Sequence, residues 1–170
     1  YSFVGPVKVR SKFANHPGIC VGYRLATSSG SIAYFPDNEP YEQLKLLLAS
    51  RDGITEEEAR DFAAAERGKM VDFLEGCDVA IMDTQYTEAE YAKHVGWGHS
   101  SVESVVSLAL DANVGKLILF HHDPNHDDQM IDKMVEHARA FVANSGKSLE
   151  VDAAREGAEI LLDAKVKVAA

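Results

Sequence analysis

Val7 to Phe13 alternates apolar and polar residues, the period of a strand with one face toward a core. Ile19 to Leu25 and Ser31 to Phe35 are further short β-rich runs, set off by Gly18 and by the Ser28-Ser29-Gly30 turn. The first third therefore predicts antiparallel β-structure. After Pro40 the pattern changes to a helix over Tyr41 to Ala49 and a longer one from Thr55, where Thr55 and Glu58 form a capping box and Gly76 marks a stop. The chain then alternates. Asp78 to Met82 reads as a buried strand, Thr87 to Lys93 and Ser101 to Ala112 as helices, Lys116 to Phe120 as a second buried strand, and Asp128 to about Ala143 as a long helix. Glu150-Val151-Asp152 predicts a closing strand, while Glu159-Ile160-Leu161-Leu162 fits either a strand or a helix. Strands first and alternation later predict an α+β or layered α/β fold, with residues 1–170 as a single domain, in which polar strand ends collect along one sheet edge.

Composition narrows the setting. The formal charge of −10 repels polyanions, which argues against a broad grip on nucleic acid or an anionic membrane and leaves room for a small phosphorylated substrate. Cys20 and Cys77 lie far apart, so neither a disulfide framework nor a cysteine zinc motif is indicated, and a reduced, cytoplasmic setting is expected. No run approaches the length of a spanning helix. The chain opens on Tyr1-Ser2-Phe3 without a methionine, which suggests a fragment or a processed product.

Candidate chemistry gathers at strand ends. Asp37 follows Ile32-Ala33-Tyr34-Phe35 through Pro36, Asp83 follows Val79 to Met82, and His121 follows Leu117 to Phe120. A single such residue is most simply a turn residue; three in one pattern point to a shared site. His16, in Asn15-His16-Pro17-Gly18, sits in a turn between two strands. Two imidazoles and a carboxylate are suitable ligands for zinc, manganese or iron, because borderline metals accept neutral nitrogen and anionic oxygen together. His99, in Gly98-His99-Ser100-Ser101, is not needed for the helix cap that the serines supply. It is a candidate proton donor, with Asp83 as the carboxylate that orients it. In His121-His122-Asp123-Pro124-Asn125-His126-Asp127-Asp128, Asp127 and Asp128 are assigned to capping the long helix, and His122 and His126 are left as supporting or substrate-facing groups.

These segments, in this order, resemble the later motifs of the metallo-β-lactamase superfamily, closest to its ribonuclease Z and phosphodiesterase-like branch. The resemblance rests on Asn15 to Leu25, Ile32 to Asp37, Trp97 to Ser101 and Leu117 to His121, and runs from about Lys8 to about Ala143. It implies the C-terminal part of an αββα sandwich. His16 and His121 would be terminal ligands of two divalent metals, zinc first with manganese or iron as alternatives, and Asp37 would bridge them. It also implies hydrolysis of a phosphodiester by a metal-bound hydroxide, with His99 assisting the leaving group. The signature H-x-H-x-D-H, which normally lies upstream of His16 in that superfamily, does not occur in these residues. Ser101 replaces the branch's usual threonine, and Asp83 stands where that branch often has glutamate.

Without that signature the chain alone is expected to bind metal weakly and turn over slowly. The alternative is a non-catalytic module acting in protein binding or assembly, as a homodimer or by pairing with the missing N-terminal segment. A signalling receiver domain is a further reading, since Asp78 to Asp83 looks like a strand ending in a phosphoacceptor. The late strand, however, ends in His121 and His122 where that fold needs a lysine.

Overall fold

A computed structural model provides the structure and describes residues 2–162. Seven strands form one sheet in chain order: β1 (Ser2–Val4), β2 (Val7–Phe13), β3 (Val21–Ala26), β4 (Ser31–Phe35), β5 (Val79–Asp83), β6 (Lys116–Phe120) and β7 (Glu150–Ala153). β1 to β4 pair antiparallel through short turns, and β4 to β7 pair parallel through helical crossovers. The antiparallel first third refutes the receiver reading. β1 was not anticipated, and β3 starts at Val21, leaving Ile19 outside the ladder and exposed.

Five helices fill the connections: α1 (Tyr41–Asp52) and α2 (Glu56–Leu74) after β4, α3 (Glu88–Tyr91) and α4 (Val102–Asp111) after β5, and α5 (Asp128–Ser145) after β6. Their starts are encoded locally. Thr55 and Thr87 each form a reciprocal capping box, Ser101 accepts from the Ser104 N–H, and Asp127 accepts from the Met130 N–H. The expected helix to Lys93 is a single turn that gives way to a string of turns. Glu159 to Leu162 is irregular, neither strand nor helix.

Because the parallel strands follow in order without reversal, right-handed crossovers place every connecting helix on the same face. That face carries Ala33, Phe35, Ala80, Met82, Leu117, Leu119, Val151 and Ala153, packed under α2, α4 and α5. The opposite face presents the alternate residues, and Phe13, Tyr23, Leu25 and Tyr34 on it are exposed. The topology also fixes the site. Parallel β4, β5 and β6 end at one edge, and because β3 runs antiparallel to β4, the turn from β2 to β3 arrives at that same edge.

Candidate metal centre

Asp37, Asp83, His121 and His16 all belong to this edge, the position at which open α/β sheets place their chemistry. One ligand atom each from His16, Asp37 and His99 lies within 4.8 Å of the others, the one such cluster among the described residues. His121 stands outside that set but reaches Asp37, with its Nε2 3.4 Å from Asp37 Oδ1. The His99 ring lies between the two other histidines, 5.6 Å from His16 and 4.8 Å from His121 between centroids. His99, expected only as a proton donor, is thus also near enough to the carboxylate to share its ligand sphere.

Each side chain is aimed by its own loop. The Gly18 N–H donates to His16 Nδ1 at 3.1 Å, and the Gly18 carbonyl lies 3.3 Å from the same nitrogen. His121 adopts a left-handed backbone with φ 58°, which turns the chain out of the sheet directly after Phe120. Gly98 must be glycine: its φ is +97°, and an added Cβ would lie 2.4 Å from His16 Cδ2 and 2.5 Å from Pro17 Cδ. The loop bearing His99 therefore packs directly on the turn bearing His16.

Asp83 holds the opposite side of His99. Its carboxylate is buried, and Oδ2 is 2.7 Å from His99 Nδ1. The Asn38 and Gln85 N–H groups also donate to it, each at 3.1 Å. Burial pushes the Asp83 carboxyl above its ordinary value against the pull of these donors. At His99 burial opposes the charged ring, yet the hydrogen bond to Asp83 and the nearby Asp37 and Glu39 carboxylates raise its pKa overall.

Glu39 was not anticipated from the sequence. It is buried and accepts from the Gly96 N–H at 2.6 Å, the Gly98 N–H at 2.9 Å and the Tyr91 hydroxyl at 3.0 Å. Ser100 donates from its hydroxyl to the Asn38 carbonyl, tying the same two segments together. The available signal was Asp37-Asn38-Glu39 in succession, a carboxylate two residues beyond a candidate ligand. Cys20 also reaches the centre, its thiol donating to Asp37 Oδ2 at 3.6 Å, and burial followed by the Asp37 charge raises its pKa. His126 turns away to bond Glu90 at 2.9 Å, and His122 is half-buried beside the Ala154 backbone, with burial lowering its pKa.

The donor set suits a divalent metal, since imidazole nitrogen and carboxylate oxygen converge at one place. His16, Asp37 and His121, with His99 beside them, are the residues that would hold it.

The fold defines the class first. The metallo-beta-lactamase fold protein YhfI from Bacillus subtilis superposes with a TM-score of 0.64 at 17% identity, covering 92% of this chain and 50% of that one. This chain carries that layered metallo-β-lactamase fold. Ribonuclease Z of Thermoplasma volcanium is 38% identical over 73 residues, 42% of this chain and 23% of that protein. Ribonuclease BN of Escherichia coli K12 is 27% identical over 158 residues, 79% of this chain and 52% of that protein. The chain spans about half the length, or less, of the relatives it matches. No protein-family model matches it.

Proposed function

We propose that the chain is the part of a metal-dependent phosphodiesterase that supplies His16, Asp37 and His121 to a two-metal centre and His99 as its proton donor. The observation that carries this reading is the convergence of His16, Asp37 and His99 within 4.8 Å, with His121 on Asp37 from outside that set. Asp37 is common to both groupings, which supports its role as the bridge. Zinc, or manganese or iron in its place, would supply a water of lowered pKa and offset negative charge on the substrate phosphate.

The protein's own groups do the rest. His99 presents Nε2 to the centre because Asp83 holds Nδ1, so that a proton on Nε2 would face the substrate. Delivery of that proton to the departing oxygen is worth about 10²- to 10⁴-fold in rate. Asp83, taking no part itself, fixes the ring through backbone donors on both sides. The net charge of −10 favours a small phosphodiester over a long polyanion. The names of the relatives, both ribonucleases, support phosphodiester cleavage. Two free cysteines fit a reducing, cytoplasmic setting, and among the described residues no helix is long and apolar enough to cross a membrane.

Elemental analysis tests the reading. The chain and a form extended upstream are each compared with an Asp37→Ala variant. About two metal ions in the extended form, lost with Asp37, are expected; no metal in either wild-type form would sink the metallohydrolase.

The bare sheet face favours a second reading, a non-catalytic module that pairs with another chain through Phe13, Tyr23, Leu25 and Tyr34. Light scattering on the metal-free chain and on Tyr23→Glu separates the two. Association lost in the variant, together with no metal uptake, would favour the module.

A further inference from the structure

His16 and Asp37 both stand beyond the hydrogen bonds of the sheet. The β2–β3 ladder closes at Phe13 and Val21, with one further bond from the Ala14 N–H to the Cys20 carbonyl at 3.0 Å. The β3–β4 ladder ends at Tyr23 and Tyr34. Strand pairing therefore does not fix these two ligands relative to each other.

The residue before His16 and the two residues after Asp37 are instead stitched together. The Asn15 N–H donates to Asn38 Oδ1 at 3.2 Å, and the Asn15 side-chain amide donates to the Glu39 carbonyl at 2.8 Å. In return the Glu39 N–H donates to the Asn15 carbonyl at 2.8 Å. Two of these bonds use the Asn15 main chain and survive in any residue; the bond from Nδ2 needs this side chain. Its partner segment is itself fixed, because Asn38 and Glu39 are buried. That segment also braces the His99 side, through the Asn38 N–H on Asp83, the Asn38 carbonyl on the Ser100 hydroxyl, and the Glu39 carboxylate on the Gly96 and Gly98 amides. Asn15 thus ties the turn of His16 to the segment that follows Asp37 and steadies His99.

We propose that Asn15 is a positioning residue: its side-chain amide latches the His16 turn to the Asp37 loop, so that the two ligands are set relative to each other before a metal arrives. For its metal the latch rests on the phosphodiesterase reading. A ligand on an untethered turn must be ordered when the metal binds, and that cost lowers affinity; a tie made during folding removes it. Asn15 acts through His16 and touches no reacting atom.

Two variants test the latch, each checked for folding by circular dichroism. Asn15→Ala removes the donor, and Asn15→Asp keeps the size but sets an acceptor against the Glu39 carbonyl. In the metal-free 170-residue chain, nuclear Overhauser contacts are read from the His16 ring to Gly98, against which it packs, and to the His99 ring, 5.6 Å away between centroids. These contacts are expected in the wild type and should fade in both variants. Zinc affinity, measured by competition with a chromophoric chelator, should fall about 10- to 100-fold in both. Asn15→Asp is the sharper case, since its added negative charge alone would tighten the hold on a cation. Ring contacts missing in the wild type, or persisting in either folded variant, would overturn the latch. Zinc affinity unchanged in Asn15→Ala or raised in Asn15→Asp would overturn it as well. A wild type that shows the ring contacts, loses them in the variants and takes up no zinc leaves the latch standing and the hydrolase fallen.

Discussion

His99 Nδ1 lies 2.7 Å from Oδ2 of Asp83, a carboxylate whose side chain is fully removed from solvent. The carboxylate is itself pinned by the N–H groups of Asn38, just past β4, and Gln85, just past β5. The imidazole is thereby oriented with Nδ1–H on Asp83 and Nε2 toward the centre, so that any proton Nε2 carries is the one that can be transferred. Asp83→Asn replaces one acceptor oxygen by a donor that must face a donor. It is expected to cost about 1–3 kcal/mol, measured by urea unfolding. Nitrogen NMR of the His99 ring should show a single tautomer in the wild type and a mixture in the variant; an unchanged ring spectrum would remove Asp83 from its positioning role.

Glu39 makes a comparable prediction for the loop in front of the centre. Both of its oxygens are occupied, one by Gly96 N–H and the Tyr91 hydroxyl, the other by Gly98 N–H. Glu39→Gln keeps the size but turns an amide group toward one of these donors, at a cost of about 1–3 kcal/mol. Hydrogen exchange at the Gly96 and Gly98 amides should accelerate, while the amides of β5 and β6 keep their protection. Uniform acceleration across the sheet would mean that Glu39 supports the fold at large and not this loop.

Glu39 also marks the limit of what the sequence revealed. That Asp37, Asp83 and His121 lie at one sheet edge was legible because each follows a short apolar run that reads as a strand, and parallel strands end together. The caps of α2, α4 and α5 were legible because capping needs only residues within one turn. Glu39 bonds to groups 52 to 59 positions away, and no local pattern announces such a partner. The same holds for β1, whose three exposed residues carry no burial signal and are a strand only because β2 pairs with them. Glu159 to Leu162 failed in the opposite sense, since its apolar residues suggest an element that no neighbour completes. His99 was seen as a proton donor, but its proximity to Asp37 depends on Gly98 packing against His16, a contact across 82 positions.

The far side of the helical layer carries a pH-dependent contribution. Asp111, at the end of α4, accepts from Arg67 of α2 at 2.6 Å and from Lys147 beyond α5 at 3.1 Å. The hydrogen bond from Arg67, then that from Lys147, holds its carboxyl below the ordinary 3.8, against a smaller opposing effect of burial. A carboxyl whose pKa is lowered by folding stabilises the protein above its unfolded value, and that stabilisation fades as pH falls through the folded value. The side chains are partly exposed, so the contribution at neutral pH is below about 1 kcal/mol. Asp111→Asn should therefore lower the urea midpoint at pH 6, and its gap from the wild type should close as pH drops below 3.8. Added salt should narrow the gap at pH 6 as well, since the three groups are screened. A gap that stays constant from pH 6 into the acid range would show that Asp111 acts through packing and not through its charge.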